Sequence, residues 1–148
     1  ERLKPLPLTH TSWQAWRNQH PDTRVLSTDT GYARDYRRNP YAGYASNDEL
    51  FFPVASRSRR YHPKERVLGV EIDGQFKAYP FAELALAGRP RIRDDFAGRQ
   101  LTVLFDAPNE SARIEDEAGR ALPGVTSFWF AWYTFHPDTE VFSATTRP

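Results

Sequence analysis

The sequence contains no cysteine. Disulfides, thiolate zinc sites, iron–sulfur clusters and a cysteine nucleophile are therefore excluded. It contains no methionine either, even at its start, which reads Glu1-Arg2-Leu3-Lys4-Pro5. Translation begins with methionine, so a processed, trimmed or partial chain is expected, with a removed signal peptide or an upstream domain as the two readings. Long apolar runs are missing too. The longest is Phe128-Trp129-Phe130-Ala131-Trp132, whereas a bilayer-spanning helix needs about 20 apolar residues. No Gly-rich phosphate loop, EF-hand loop, HExxH or GxSxG elbow occurs. The net charge of +1 nominates no polyanionic partner, and nucleic acid is not expected.

What is present suits a cored domain. The chain has 148 residues, 39% hydrophobic and 14% aromatic, enough to build one core and too aromatic for disorder. We treat 1–148 as a single domain. Charge is unevenly placed. Between Tyr32 and Arg66 eight Lys/Arg face four Asp/Glu, a local +4.

The most informative feature is an internal repeat. Residues 13–30 read WQAWRNQHPDTRVLSTDT, and residues 129–146 read WFAWYTFHPDTEVFSATT, with ten of eighteen positions identical at an offset of 116. Thr11 to Gln14 has the form of a capping box, with Thr11 as N-cap. Trp13, Trp16 and His20 then share one helical face. Pro21 stops the helix, Asp22-Thr23 turns, and Arg24–Ser27 reads as a short strand. The second copy repeats this with Trp129, Trp132, His136, Pro137 and a strand 140–143. All four tryptophans are expected to be buried. Each Asp is expected to cap its turn through nearby amides, and each His to rest on its Trp.

Residues 31–65 are turn-rich, with only Leu50–Val54 expected to be buried and the tyrosines expected to pin the segment to the core. Residues 67–114 read as sheet. Val67–Ile72 and Gln75–Tyr79 flank Asp73-Gly74, a favoured hairpin turn. Pro80 starts a short helix to Ala87, and further strands lie near 91–95, 100–105 and 111–115, all expected in one sheet. The fold class is α+β: an antiparallel or mixed β-sheet with a few short helices and long irregular Arg/Tyr-rich connections. Asp94-Asp95 point to opposite faces of a strand and make no carboxylate pair.

Two candidate sites follow. The first is a binding surface of Arg34, Tyr36, Arg37, Arg38, Tyr41, Tyr44, Arg59 and Arg60, since Tyr and Arg carry interface hot spots. The second is a metal site of His20, Asp22, His136 and Asp138, with His10 as a further donor, suited to zinc, copper or iron. No cofactor is required by the sequence, and such an ion belongs to the second reading only.

The blocks SWQAWRNQHPDTRVLS, DTGYARDYRRNPYAGY, LFFPV, KERVLGVEIDGQFKAYPFAEL and FWFAWYTFHPDTEVF together resemble a prokaryotic family catalogued as domain of unknown function 3179. The resemblance implies two related units in tandem, each running from a VxGVxxxGxxxAYP hairpin to a Trp-rich helix and an HPDT-like turn. Residues 66–146 resemble one complete unit, and 11–30 the end of a preceding one whose hairpin lies outside this chain. In the family the first unit carries a Cys-Pro-Leu-Cys-Gly-Thr-like segment. Its counterpart here, Phe105–Ser111, keeps a proline and no cysteine, so that chemistry does not carry over. The expected function is a non-catalytic binding module within a larger periplasmic or secreted protein or assembly, docking to a protein partner or adjoining domain. The alternative is a metal-dependent enzyme or metal-binding protein using the HPDT turns.

Overall fold

The computed structural model describes residues 3–145. Its organising element is the expected hairpin. Strand β1 (Arg66–Ile72) pairs antiparallel with β2 (Gln75–Pro80), Ile72 opposite Gln75. The turn pair Asp73-Gly74 has φ of 50° and 79°, the left-handed geometry that matches strand twist. Helix α2 (Phe81–Ala87) begins at once and ends at Gly88, with φ 63°. Its Ala82 N–H donates to the Glu65 carboxylate at 2.8 Å, which supplies the cap that Pro80 cannot.

Strands β3 (Arg91–Phe96), β4 (Arg99–Asp106), β5 (Ser111–Asp116) and β6 (Ala121–Leu122) form an antiparallel meander. Strand β7 (Val125–Phe128) then returns to the free edge of β1. Helix α3 (Trp129–Phe135) follows, and β8 (Glu140–Val141) pairs parallel with β2. Helix α1 (Trp13–Gln19) stands at the N-terminal end. The α+β class holds, with one mixed sheet and one antiparallel sheet.

The single expected sheet is two. The first runs β7-β1-β2-β8 and the second β3-β4-β5-β6. Both outer edges of the hairpin are taken by β7 and β8, so the meander has no edge to join and stacks instead. The layers share one core: Leu68, Val70, Ile72 and Tyr79 meet Ile92, Phe96, Leu101, Val103 and Ile114. A polar link crosses it. The Tyr79 hydroxyl donates to Asp94 at 2.9 Å, and the Lys77 ammonium lies 2.7 Å from the same carboxylate. Burial and that carboxylate push the Tyr79 phenol far up. The other face of the hairpin, Val67 and Ala78, carries Trp129 and Trp132 of α3. Trp129 is 1% exposed although its indole N–H has no partner among the described residues, so packing there outweighs an unmade bond.

Several local expectations shift. The N-cap of α1 is Ser12, whose Oγ accepts from Ala15 N–H at 3.1 Å, and not Thr11. Residues 24–27 form no strand, because no hairpin lies beside them as β2 lies beside β8. Trp13 and Trp16 are 50% and 36% exposed, for the same reason. Phe51 and Phe52 are exposed, as are Tyr32, Tyr36 and Tyr41. Of the tyrosines in residues 31–65, Tyr61 packs on the core, 5.4 Å from Trp129, and Tyr44 meets Phe128, while Tyr32, Tyr36 and Tyr41 do not pin the segment.

Gly69 decides how closely α3 sits. A Cβ there would fall 2.2 Å from the Trp132 ring. Gly69→Ala is expected to cost about 1–3 kcal/mol by overpacking. At Gly124 an added Cβ meets a flexible Leu68 methyl at 2.9 Å, so Gly124→Ala should cost less. Urea denaturation of both variants checks the order.

Candidate functional site

The Arg/Tyr segment is held by a lysine. Lys64 is 4% exposed. Its ammonium donates to the carbonyls of Tyr44 at 3.0 Å, Asn47 at 3.3 Å and Glu49 at 2.7 Å. An ammonium has three N–H donors, and three carbonyls satisfy them. It also sits 3.3 Å from the centre of the Tyr44 ring, a cation–π contact. Residues 44–49 wrap this one charge. Lys64 and Glu65 suggest a neutral pair in the sequence, but they separate: Glu65 turns to α2. The available signal was scarcity. In a chain with three lysines among twenty basic residues, a lysine stands where a planar guanidinium does not fit.

Around this anchor, rings form a connected surface. Tyr44 lies 4.2 Å from Phe51, and Tyr41 lies 6.5 Å from Phe51. Tyr44 also meets Phe128 at 6.3 Å, and Phe128 meets Phe130 at 6.2 Å. Phe51, Phe128 and Phe130 are site residues that the binding set above lacks. Phe51 fell within a run expected to be buried, Phe130 within the repeat and Phe128 directly before it.

The arginines divide. Arg59 lines a cavity of about 220 Å³ with Arg57, Ser58, Leu50, Pro63, Asp48 and Phe130. Asp48 is already paired with His62 at 2.5 Å. Arg60 turns to the Tyr61 ring, 5.7 Å away. Arg34, Arg37 and Arg38 lie on an exposed stretch with Tyr36, whose hydroxyl is 2.6 Å from Thr30 Oγ1. Asp35 forms no ion pair with them among the described residues; its carboxylate accepts the Arg37 backbone N–H at 3.0 Å. Among the described residues Arg34, Arg37, Arg38, Arg57 and Arg59 have no carboxylate partner. Chemically this is a cationic, aromatic surface for carboxylates and flat apolar groups.

A larger groove, about 480 Å³, lies between the end of α2 and the β4–β5 turn, lined by Leu84, Ala85, Arg89, Phe105, Asp106 and Pro108 among others. It abuts the counterpart of the family's cysteine segment. Asp106 is spent on its own turn, accepting from Asn109 N–H at 3.3 Å and Asn109 Nδ2 at 2.8 Å. The groove presents mainly apolar side chains.

The two HPDT segments share one local geometry. His20 and His136 have φ/ψ of −133°/70° and −133°/66°. Each donates its N–H to the tryptophan carbonyl of its helix, at 2.8 and 3.0 Å. Each ring rests on that tryptophan, at 4.1 and 4.3 Å. The turn is closed by threonine: the indole N–H of Trp16 donates to Thr23 Oγ1 at 2.9 Å, and that of Trp132 to Thr139 Oγ1 at 3.0 Å. The expected Asp caps are absent. Asp22 and Asp138 make no hydrogen bond among the described residues; the turn amides of Thr23 and Thr139 donate instead to the His20 and His136 carbonyls, each at 3.1 Å. Nor do three or more His, Asp or Glu gather in a metal-binding group among the described residues. His10 is engaged by Arg66, with Nδ1 2.6 Å from the guanidinium.

Two measurements probe these environments. Lys64→Met removes the donor from three carbonyls, and we expect a cost of about 1–3 kcal/mol, with faster amide exchange over 44–49. His136 stacks on Phe76 at 4.0 Å. Burial lowers its pKa below the ordinary histidine value, partly offset by Glu71. A depressed histidine adds stability above its unfolded pKa, and that stability is lost as pH falls through the folded pKa. NMR titration should place His136 below about 6.5, and stability should fall on acidification through that range.

A model of the family described as protein of unknown function (DUF3179) matches residues 1–121. No curated protein and no solved structure matches the chain. With well over half of its length covered, and the hairpin, α2 and β3 to β5 inside the match, the chain belongs to the DUF3179 family.

Proposed function

We propose that the chain is a non-catalytic binding module of a larger extracytoplasmic protein or assembly, with residues 34–60, Phe128 and Phe130 as its docking surface. One observation carries the reading: rings and unpaired arginines stand exposed on a segment that is nonetheless fastened from beneath by buried Lys64. A fastened surface loses little conformational entropy on binding, which favours affinity. The partner that fits is a protein with surface carboxylates for Arg57 and Arg59 and an apolar rim for Tyr41 and Phe51. Nucleic acid fits less well, because the chain's net charge is only +1.

No nucleophile or paired carboxylate lines either cavity, apart from Ser58 and the engaged carboxylates of Asp48 and Asp106. This favours binding over catalysis.

The test captures partners from envelope extracts of the source cells with the wild-type chain and with Tyr41→Ala/Phe51→Ala. Both positions are exposed, so folding should be unchanged. We expect a defined protein retained by the wild type, with at least about tenfold weaker binding, roughly 1.4 kcal/mol, to the variant. Equal retention by both would overturn this surface. Near-stoichiometric zinc, copper or iron in protein purified without added metal, lost in His20→Ala or His136→Ala, would instead install the metal-dependent reading.

A further inference from the structure

The cavity of about 220 Å³ beside α3 has walls that are each tied down. Phe130 lies in the first turn of α3, and its N–H donates to the Pro63 carbonyl at 3.0 Å. The Asp48 and Leu50 wall belongs to the stretch whose carbonyls at 47 and 49 hold the Lys64 ammonium. His62 adds a second tie. Its Nδ1 accepts the Lys64 N–H at 3.0 Å, so its proton lies on Nε2, 2.5 Å from Asp48. On the arginine wall, Ser56 N–H donates to Thr134 Oγ1 of α3 at 3.3 Å, and Arg60 N–H donates to Ser58 Oγ at 3.2 Å. These bonds bracket Arg57, Ser58 and Arg59, so the cavity stands preformed.

Size, charge and lining narrow what enters it. Sites that enclose a drug-sized molecule run to about 300–1,000 Å³. This cavity is smaller, so it takes the end of something larger. Its lining holds two guanidiniums, Arg57 and Arg59, with no carboxylate partner among the described residues. Against them stands one carboxylate, Asp48, already paired with His62. One net positive charge matches a single carboxylate, not a phosphate near its dianionic state. Leu50, Pro63 and Phe130 complete the lining, and a bare anion would leave these apolar walls unmatched.

We propose that this cavity receives the C-terminal residue of a partner protein, with its α-carboxylate on Arg57 and Arg59 and an apolar side chain against Leu50, Pro63 and Phe130. A terminal residue carries both groups on one Cα. An internal Asp or Glu carries its charge with no apolar branch, and its chain must leave the cavity in two directions. Planar guanidiniums suit a carboxylate, which they bind bidentately, and capture of a chain terminus is a recurring mode of peptide recognition. The inference rests on the docking surface proposed above and names what the partner inserts there. Tyr41 and Phe51 do not line the cavity, so they meet the partner outside it.

The test titrates the full 148-residue chain with three short peptides and follows the NMR amide shifts of Ser58, Arg59 and Phe130. The peptides are acetyl-glycyl-glycyl-leucine as the free acid, the same peptide as its C-terminal amide, and acetyl-glycyl-glutamyl-glycine amide. We expect the free acid to bind saturably and shift these amides, and the other two to bind at least about tenfold more weakly. Arg57→Gln/Arg59→Gln should weaken the free acid at least about tenfold as well. Both side chains are exposed, so the fold should be unchanged. Equal binding by the amide, or by the internal glutamyl peptide, would overturn the proposal. So would the absence of any saturable shift at millimolar free acid. If the cavity stays silent while Tyr41→Ala/Phe51→Ala still loses a captured partner, this inference falls and the docking surface stands.

Discussion

The contact between Trp132 and Gly69 sets the architecture. A strand with any side chain at 69 would push the indole outward, since the first added carbon lands among ring atoms at 2.2–2.4 Å. With glycine there, α3 settles on the outer face of β1–β2 and the hairpin becomes a buried layer. The burial of β1 shows the result: Val67 to Val70 are all buried, without the alternation of a half-exposed strand. A lone hairpin is marginal in water. Here one block, residues 125–141, supplies both missing edges and one missing face, because β7 leads directly into α3 and α3 into β8. The hairpin and this block lie far apart in sequence, so the layer closes only when the chain returns.

Much of this is readable from residues alone where the signal is local. Asp73-Gly74 between alternating runs specifies the hairpin, and the helix from Phe81 follows from proline and composition. The opposed faces of Asp94 and Asp95 hold as well, with Asp94 reaching Lys77 and Tyr79 while Asp95 stays exposed. What local pattern cannot supply is which edges are filled. β7 is a four-residue strand with no expectation behind it, and β8, expected over 140–143, is two residues long; nothing local shows that they fill the two edges of the hairpin, yet they divide the strands into two sheets. The same blindness explains the four tryptophans. Helices of equal length and matching C-cap geometry carry them, and the presence of a covering hairpin separates 1% exposure for Trp129 from 50% for Trp13.

The candidate surface was half legible. Its residue types stand out in the sequence as an Arg- and Tyr-rich stretch, but its support does not. Lys64 acts through backbone carbonyls at 44, 47 and 49, and carbonyls carry no sequence signature. Tyrosine packing, the expected anchor, holds only at the end of the segment, where Tyr61 meets Trp129, because Tyr32, Tyr36 and Tyr41 project outward. Tyr44, also partly buried, is the ring over which the ammonium sits. A charge buried among main-chain acceptors thus orders a segment that has no strand and one short turn of helix, and it leaves the arginines free of structural duty.

The duplicated element separates what a turn needs from what packing needs. Closing the turn takes Trp16, His20 and Thr23, and equally Trp132, His136 and Thr139. Trp13 has no hydrogen bond in that closure, yet it matches Trp129 across the offset. Half exposed, it forgoes much of the stabilisation that burial of its ring supplies. Eight of the eighteen positions differ. Two of them, Arg24 for Glu140 and Leu26 for Phe142, fall where the second copy touches the hairpin. The other six spare Trp16, His20 and Thr23, so the same turn closes in both copies whether or not a hairpin covers it.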